Sequence, residues 1–106
     1  MKIAIVSTDG INVDEHFGKA KRFLIYELGK DGVSKLGEIK SPSLSIGDKS
    51  HAFDKNRFDS IVEVLKGCSQ MYSTKIGEKP RQELEKRGIM PVIYEGAIDA
   101  ITPTNV

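Results

Sequence analysis

Imidazole and thiol chemistry in this chain of 106 residues rests on three side chains, His16, His51 and Cys68. His16 has the most informative setting. It follows Asp14 and Glu15, precedes Phe17 and Gly18, and is bordered by Lys19, Lys21 and Arg22. A loop imidazole that is largely uncharged near neutral pH is a good metal ligand; the structural alternative is a surface histidine that only hydrogen-bonds its own loop. Phe17 reads as a plug that anchors the loop in the core, and Gly18 as a site of positive φ or close backbone approach. Together they would hold His16 in one place. The three basic residues form a local positive patch, or else a solvated face. His51 lies in a long polar segment, where it is plain surface unless the segment closes over whatever His16 binds. Cys68, at the start of a buried strand, reads as a small core residue rather than a ligand. Gly77, at a strand-to-helix junction, would leave N–H groups for an anion.

The exclusions are sharper. One cysteine cannot hold a conventional iron–sulfur cluster, which takes four thiolates or two thiolates with two histidines, and a structural zinc site fails the same count. No GxGxxG or GxxxxGK[ST] motif appears, nor a Cys-His or Ser-His-Asp set, so nucleotide binding and covalent catalysis lack support. Sixteen basic and fifteen acidic residues give a net charge of +1, so no global field draws the chain to nucleic acid or an anionic membrane. A lone cysteine precludes an internal disulfide and fits a reducing compartment. The opening MKIAIVSTDG has too short an apolar run for a signal peptide. No segment approaches the roughly 20 apolar residues that span a bilayer, so a cytoplasmic location is expected.

The elements that must position these residues follow from periodicity. Residues 2–6 (KIAIV) read as a central strand. Residues 22–28 read as a second strand covered on both sides, with Phe23 and Ile25 on one face and Leu24, Tyr26 and Leu28 on the other. Gly29 to Gly32 close a hairpin into an edge strand at 33–40. Residues 41–56 form a long polar loop, either functional or disordered. Apolar residues at 58, 61, 62 and 65 place a helix at 57–66, capped by Gly67. A fourth strand is expected at 68–75, a charged helix at 80–87 stopped by Gly88, a fifth strand at 91–95 and a short helix at 97–102. The result is a single α/β domain over 1–106, with a five-stranded mixed sheet whose later strands run parallel.

Several stretches resemble a known family. VDEHFGKA (13–20), FLIYE (23–27), Cys68, IGEKP (76–80), Leu84, Gly88-Ile89 and EGAI (95–98) look like the dinitrogenase iron-molybdenum cofactor biosynthesis family, which includes NifX, the NafY core and the NifB C-terminal domain. The resemblance spans nearly the whole chain. It implies a ribonuclease H-like three-layer α/β/α fold. It also implies a non-enzymatic carrier of iron-molybdenum cofactor or its iron–sulfur precursor, with His16 as leading ligand and His51 or Cys68 as second donors. A preassembled cluster brings its own sulfides, so few protein ligands suffice. Phe17, Gly18, Lys19, Lys21, Arg22 and Gly77 would complete the binding surface, the cations complementing a net-negative cluster. Other cofactor-assembly proteins are the expected partners, and the chain would be a monomer or weak homodimer. The contrasting reading is a metal-free interaction or regulatory domain in which the HFG loop is purely structural. A nuclease, suggested by the fold alone, lacks the clustered carboxylates of two-metal chemistry.

Overall fold

A computed structural model describes residues 1–40 and 55–101. Most of the expected loop at 41–56, with His51, lies outside the described residues, as does Thr102. Among the described residues, seven strands and two α-helices follow in chain order: β1 (Lys2–Ile5), β2 (Asn12–Val13), β3 (Arg22–Gly29), β4 (Gly32–Lys40), α1 (Lys55–Val64), β5 (Gln70–Ser73), α2 (Glu78–Lys86), β6 (Met90–Ile93) and β7 (Gly96–Ala97). Five strands form a mixed sheet in the order β4-β3-β1-β5-β6, and β2 and β7 form a separate two-stranded ladder.

The run of apolar residues in β1 makes it the central strand. It pairs antiparallel with β3, from Lys2 opposite Glu27 to Ile5 opposite Leu24, and parallel with β5, from Ile3 opposite Gln70 to Ile5 opposite Tyr72. β5 in turn pairs parallel with β6. Strand alternation sorts the apolar residues into two cores. Ala4, Val6, Phe23, Ile25 and Met71 meet Phe58, Ile61 and Leu65 on the α1 side and Leu84 of α2. Ile3, Ile5, Leu24, Tyr26, Leu28 and Tyr72 meet Val13, Ile98 and Ile101 on the opposite face.

Both helices therefore cover one face, so the described residues form an α/β fold without the helices on both faces that the expected three-layer α/β/α arrangement would place. The opposite face carries no α-helix among the described residues; the β2–β7 ladder and a single 3-10 turn at Ile98–Ala100 cover it. The helix expected at 97–102 is thus corrected to one tight turn. It brings Ile98 and Ile101 to the same side with the three-residue period of a 3-10 helix, and both side chains join that core.

Other boundaries shift for local reasons. α2 begins at Glu78 rather than Pro80, with Gly77 as its N-cap; Pro80 falls in the first turn, where its missing N–H would have had no intrahelical partner. α1 begins at Lys55 and gives way before Gly67, whose φ of +92° suits a residue without a Cβ. Arg87 ties the helices together: its guanidinium lies 5.3 Å from the Phe58 ring centroid and donates to Asp59 at 2.9 Å and Glu83 at 3.0 Å. Among the described residues, no helix is long and apolar enough to cross a membrane.

Candidate functional site

β1 runs out into a turn organised by two carboxylates. Asp9 Oδ1 accepts the backbone N–H groups of Ile11 and Asn12, both at 2.8 Å, and the Ser7 hydroxyl at 3.2 Å. These bonds to the ionised form hold the Asp9 carboxyl at about 2, below its ordinary 3.8. Asp14 accepts from Thr8 twice, from the backbone N–H at 2.8 Å and from the hydroxyl at 2.6 Å. Because folding depresses the Asp9 pKa, its contribution is fully present above the unfolded value near 3.8 and is lost as the pH falls through about 2. Asp9→Asn is expected to lower stability at pH 7 and to flatten the acid limb between roughly pH 4 and 2, read from urea midpoints taken as a function of pH.

The next residues leave the turn and zip onto the end of β5. The β5 residues Gln70 to Tyr72 pair with β1, and the continuation beyond Ser73 changes partner: Thr74 N–H donates to the Glu15 carbonyl at 3.1 Å, and Phe17 N–H donates to the Lys75 carbonyl at 2.9 Å. His16 stands between these two bonds as a bridge partner of Lys75. This explains why β5 is shorter than the expected 68–75. It also brings the HFG loop beside Ile76-Gly77 and the start of α2.

His16 is extended (φ −75°, ψ 147°) and partly exposed. Its backbone N–H donates to Glu15 Oε1 at 2.8 Å, and its ring nitrogens have no hydrogen-bond partner among the described residues. Phe17 is the plug: 3% exposed, its ring centroid is 6.0 Å from Phe23 and 6.3 Å from Phe58. Gly18 is corrected. Its φ is not positive, it sits inside the 3-10 turn Phe17–Lys19, and a Cβ there would meet nothing within 4 Å. Nothing among the described residues requires glycine at this position. Gly18→Ala should change stability by less than about 0.5 kcal/mol in denaturant unfolding, and a loss of ligand binding in that variant would mark a close approach from outside.

Lys19, Lys21 and Arg22 do come together, in a cleft of about 690 Å³ at the carboxyl end of β1. The strand there lies between an antiparallel and a parallel neighbour, the place where open α/β sheets hold ligands. Val6, Ser7 and Ala20 are its buried lining, and Thr8, Glu15, Glu38 and Lys40 complete it. His16, Phe17, Gly18 and Gly77 are not among its described lining residues, so the histidine stands next to the cleft, through Glu15, rather than in it. Glu38 and Lys40 were missed in the sequence; they enter because β4 pairs with β3 in a register that sets Arg22 opposite Lys40.

Cys68 does not join this group. It is 6% exposed, packs in the helix-side core, and burial pushes its thiol up. It stands before β5 and His16 lies beyond it, so the four residues of β5, roughly 13 Å of extended chain, separate them. No group of three or more His, Cys, Asp or Glu side chains that could hold a metal ion occurs among the described residues.

A mixed sheet with helices on one face, a cleft at the end of its central strand and a partly exposed histidine beside that cleft define an α/β domain. Residues 1–102 match the family model of the dinitrogenase iron-molybdenum cofactor, and the chain belongs to that family. It is 30% identical over 89 residues to the FeMo cofactor biosynthesis protein NifB of Azotobacter vinelandii, covering 84% of this chain and 18% of that protein. It is 34% identical over 93 residues to NifB of Klebsiella pneumoniae, covering 86% of this chain and 20% of that protein. Protein NifX of Rhodobacter capsulatus is 28% identical over 93 residues, with 87% and 58% covered. The chain thus spans about a fifth of the length of these NifB relatives. The crystal structure of PH0822 shares the fold, with a TM-score of 0.67 at 20% identity over 93% of this chain and 84% of that one.

Proposed function

We propose that this domain, on a ribonuclease H-like fold, is a non-enzymatic carrier in metallocluster assembly that holds iron-molybdenum cofactor or its iron–sulfur precursor as cargo through His16. The observation that carries this reading is the state of that side chain: a partly exposed imidazole without an internal partner among the described residues, on a backbone pinned on both sides by bonds to residues 74 and 75. A group oriented in this way and left unsatisfied is pre-organised for an external ligand. The names of the relatives, which concern FeMo cofactor biosynthesis, supply the class of cargo.

One imidazole cannot build a cluster from free ions, but it can hold one that arrives with its own bridging sulfides. Sparse ligation also favours release, the property a carrier needs. Lys19, Lys21 and Arg22 lend positive potential to a net-negative cargo arriving beside them. Other assembly proteins, giving or receiving the cargo, are the partners this role requires.

Anaerobic titration of the protein with iron–sulfur precursor and with isolated iron-molybdenum cofactor, followed by the cluster's visible absorption, tests the reading. Stoichiometric binding that weakens at least roughly 100-fold in His16→Ala is expected, on the scale of losing one metal-ligand bond. Equal binding by both proteins would remove His16 as ligand, and binding by neither would favour the metal-free interaction domain.

A further inference from the structure

The cleft at the end of β1 has an electrostatic surplus that the histidine does not explain. Lys19, Lys21, Arg22 and Lys40 face two carboxylates, Glu15 and Glu38. Glu38 is already engaged, by Arg22 at 3.4 Å and by Lys35 at 3.5 Å, and Glu15 accepts the His16 N–H. Lys19, Lys21 and Lys40 have no ion pair among the described residues. Like charges gathered on the rim of one concavity repel one another unless an anion sits among them. The cleft, of about 690 Å³, has the size of a small-molecule site, and the hydroxyl-bearing Ser7 and Thr8 stand beside the apolar Val6 and Ala20 in its lining.

We propose that this cleft is an oxyanion site in its own right, separate from His16, that takes a compact organic or inorganic ligand bearing two or more carboxylate or phosphate groups. Lys19 and Lys21 reach it from the turn before β3 and Lys40 from the end of β4, so a ligand with at least two anionic groups spans elements that a single charge does not. Binding there needs no metal and stands whether or not the cluster reading holds.

The test uses metal-free protein, titrated by calorimetry and by backbone amide shifts with tricarballylate in one arm and pyrophosphate in another, and with sulfate as a control for bulk charge. Saturable one-to-one binding is expected in at least one arm, tighter than sulfate, moving amides of residues 19–22. It should weaken about tenfold or more in Lys19→Gln/Lys21→Gln, the scale of losing charge-assisted hydrogen bonds. It should be unchanged in Lys30→Gln, a lysine of the distant hairpin turn. Binding in only the first arm assigns a carboxylate ligand, in only the second a phosphate ligand, and in both the shared chemistry. Both lysines of the double variant are exposed, so it should unfold at the wild-type temperature; if it does not, Lys40→Gln replaces it. The proposal is overturned by no saturable binding in either arm, by sulfate binding equally well, or by undiminished binding in the lysine variants.

Discussion

Phe17→Ala is expected to cost about 3–5 kcal/mol of stability, the range for removing a buried aromatic ring from a packed core. The ring packs against both Phe23 in the sheet and Phe58 in α1. Its loss leaves a void between strand and helix, in a core already formed by both. Against a total of about 5–15 kcal/mol for a domain of this kind, the variant should be near the threshold of folding. Urea unfolding should show a lower midpoint at unchanged slope. Phe17→Leu, which keeps most of the volume, should recover more than half of the loss. The Phe17 N–H bond to Lys75 is a main-chain bond and survives both changes, so the leucine variant separates the plug from the pairing. A loop that still presents His16 in Phe17→Leu would show that the backbone ladder, not the ring, sets the direction of the imidazole.

Ile98→Ala should cost about 2–4 kcal/mol, within the range for truncating a buried isoleucine. Ile98 is 1% exposed and belongs to the core formed by Ile3, Ile5, Leu24 and Tyr72. The cover on that face is thin: a two-residue ladder and one 3-10 turn. Ile98 also fixes that cover through its backbone, donating to the Ile11 carbonyl at 2.9 Å. Truncation should therefore loosen the ladder as well as empty a space, and amide exchange at Ala97 and Ile98 should accelerate more than in β1. Ile93→Ala is the matched control. At 60% exposure on β6, it should change stability by less than about 0.5 kcal/mol.

The central sheet was legible because burial writes itself into sequence. A strand covered on both faces must be apolar at nearly every position, as Ile3 to Val6 are in KIAIV, and one whose alternate residues enter two cores reads like FLIYEL. The helix with apolar residues at 58, 61, 62 and 65 was legible for the same reason. What escaped was set by pairing rather than by composition. A two-residue ladder such as Asn12–Val13 against Gly96–Ala97 has no period to detect. The rim of the cleft escaped through a single irregularity. Gly29 to Tyr26 pair with Gly32 to Lys35 in one register, and a shift at Ile25/Tyr26 then sets Arg22 opposite Lys40. An uninterrupted hairpin would have placed Arg22 opposite Ile39 instead. A bulge of this kind reverses which side chains face a site, and no residue type announces it. Gly18 was misread for the opposite reason: its identity suggested backbone strain, whereas the backbone there is ordinary and the space around it empty.

The attachment of residues 15–17 to residues 74 and 75 uses only peptide groups. Every residue except proline carries the same peptide donor and acceptor, so the mount is indifferent to what is mounted. Exchanging the side chains at 16 and 18 alters what the loop offers to its surroundings while leaving its position untouched. The scaffold thus separates the shape of the loop from the chemistry of the side chains it shows, and two letters of the sequence can change the second without disturbing the first.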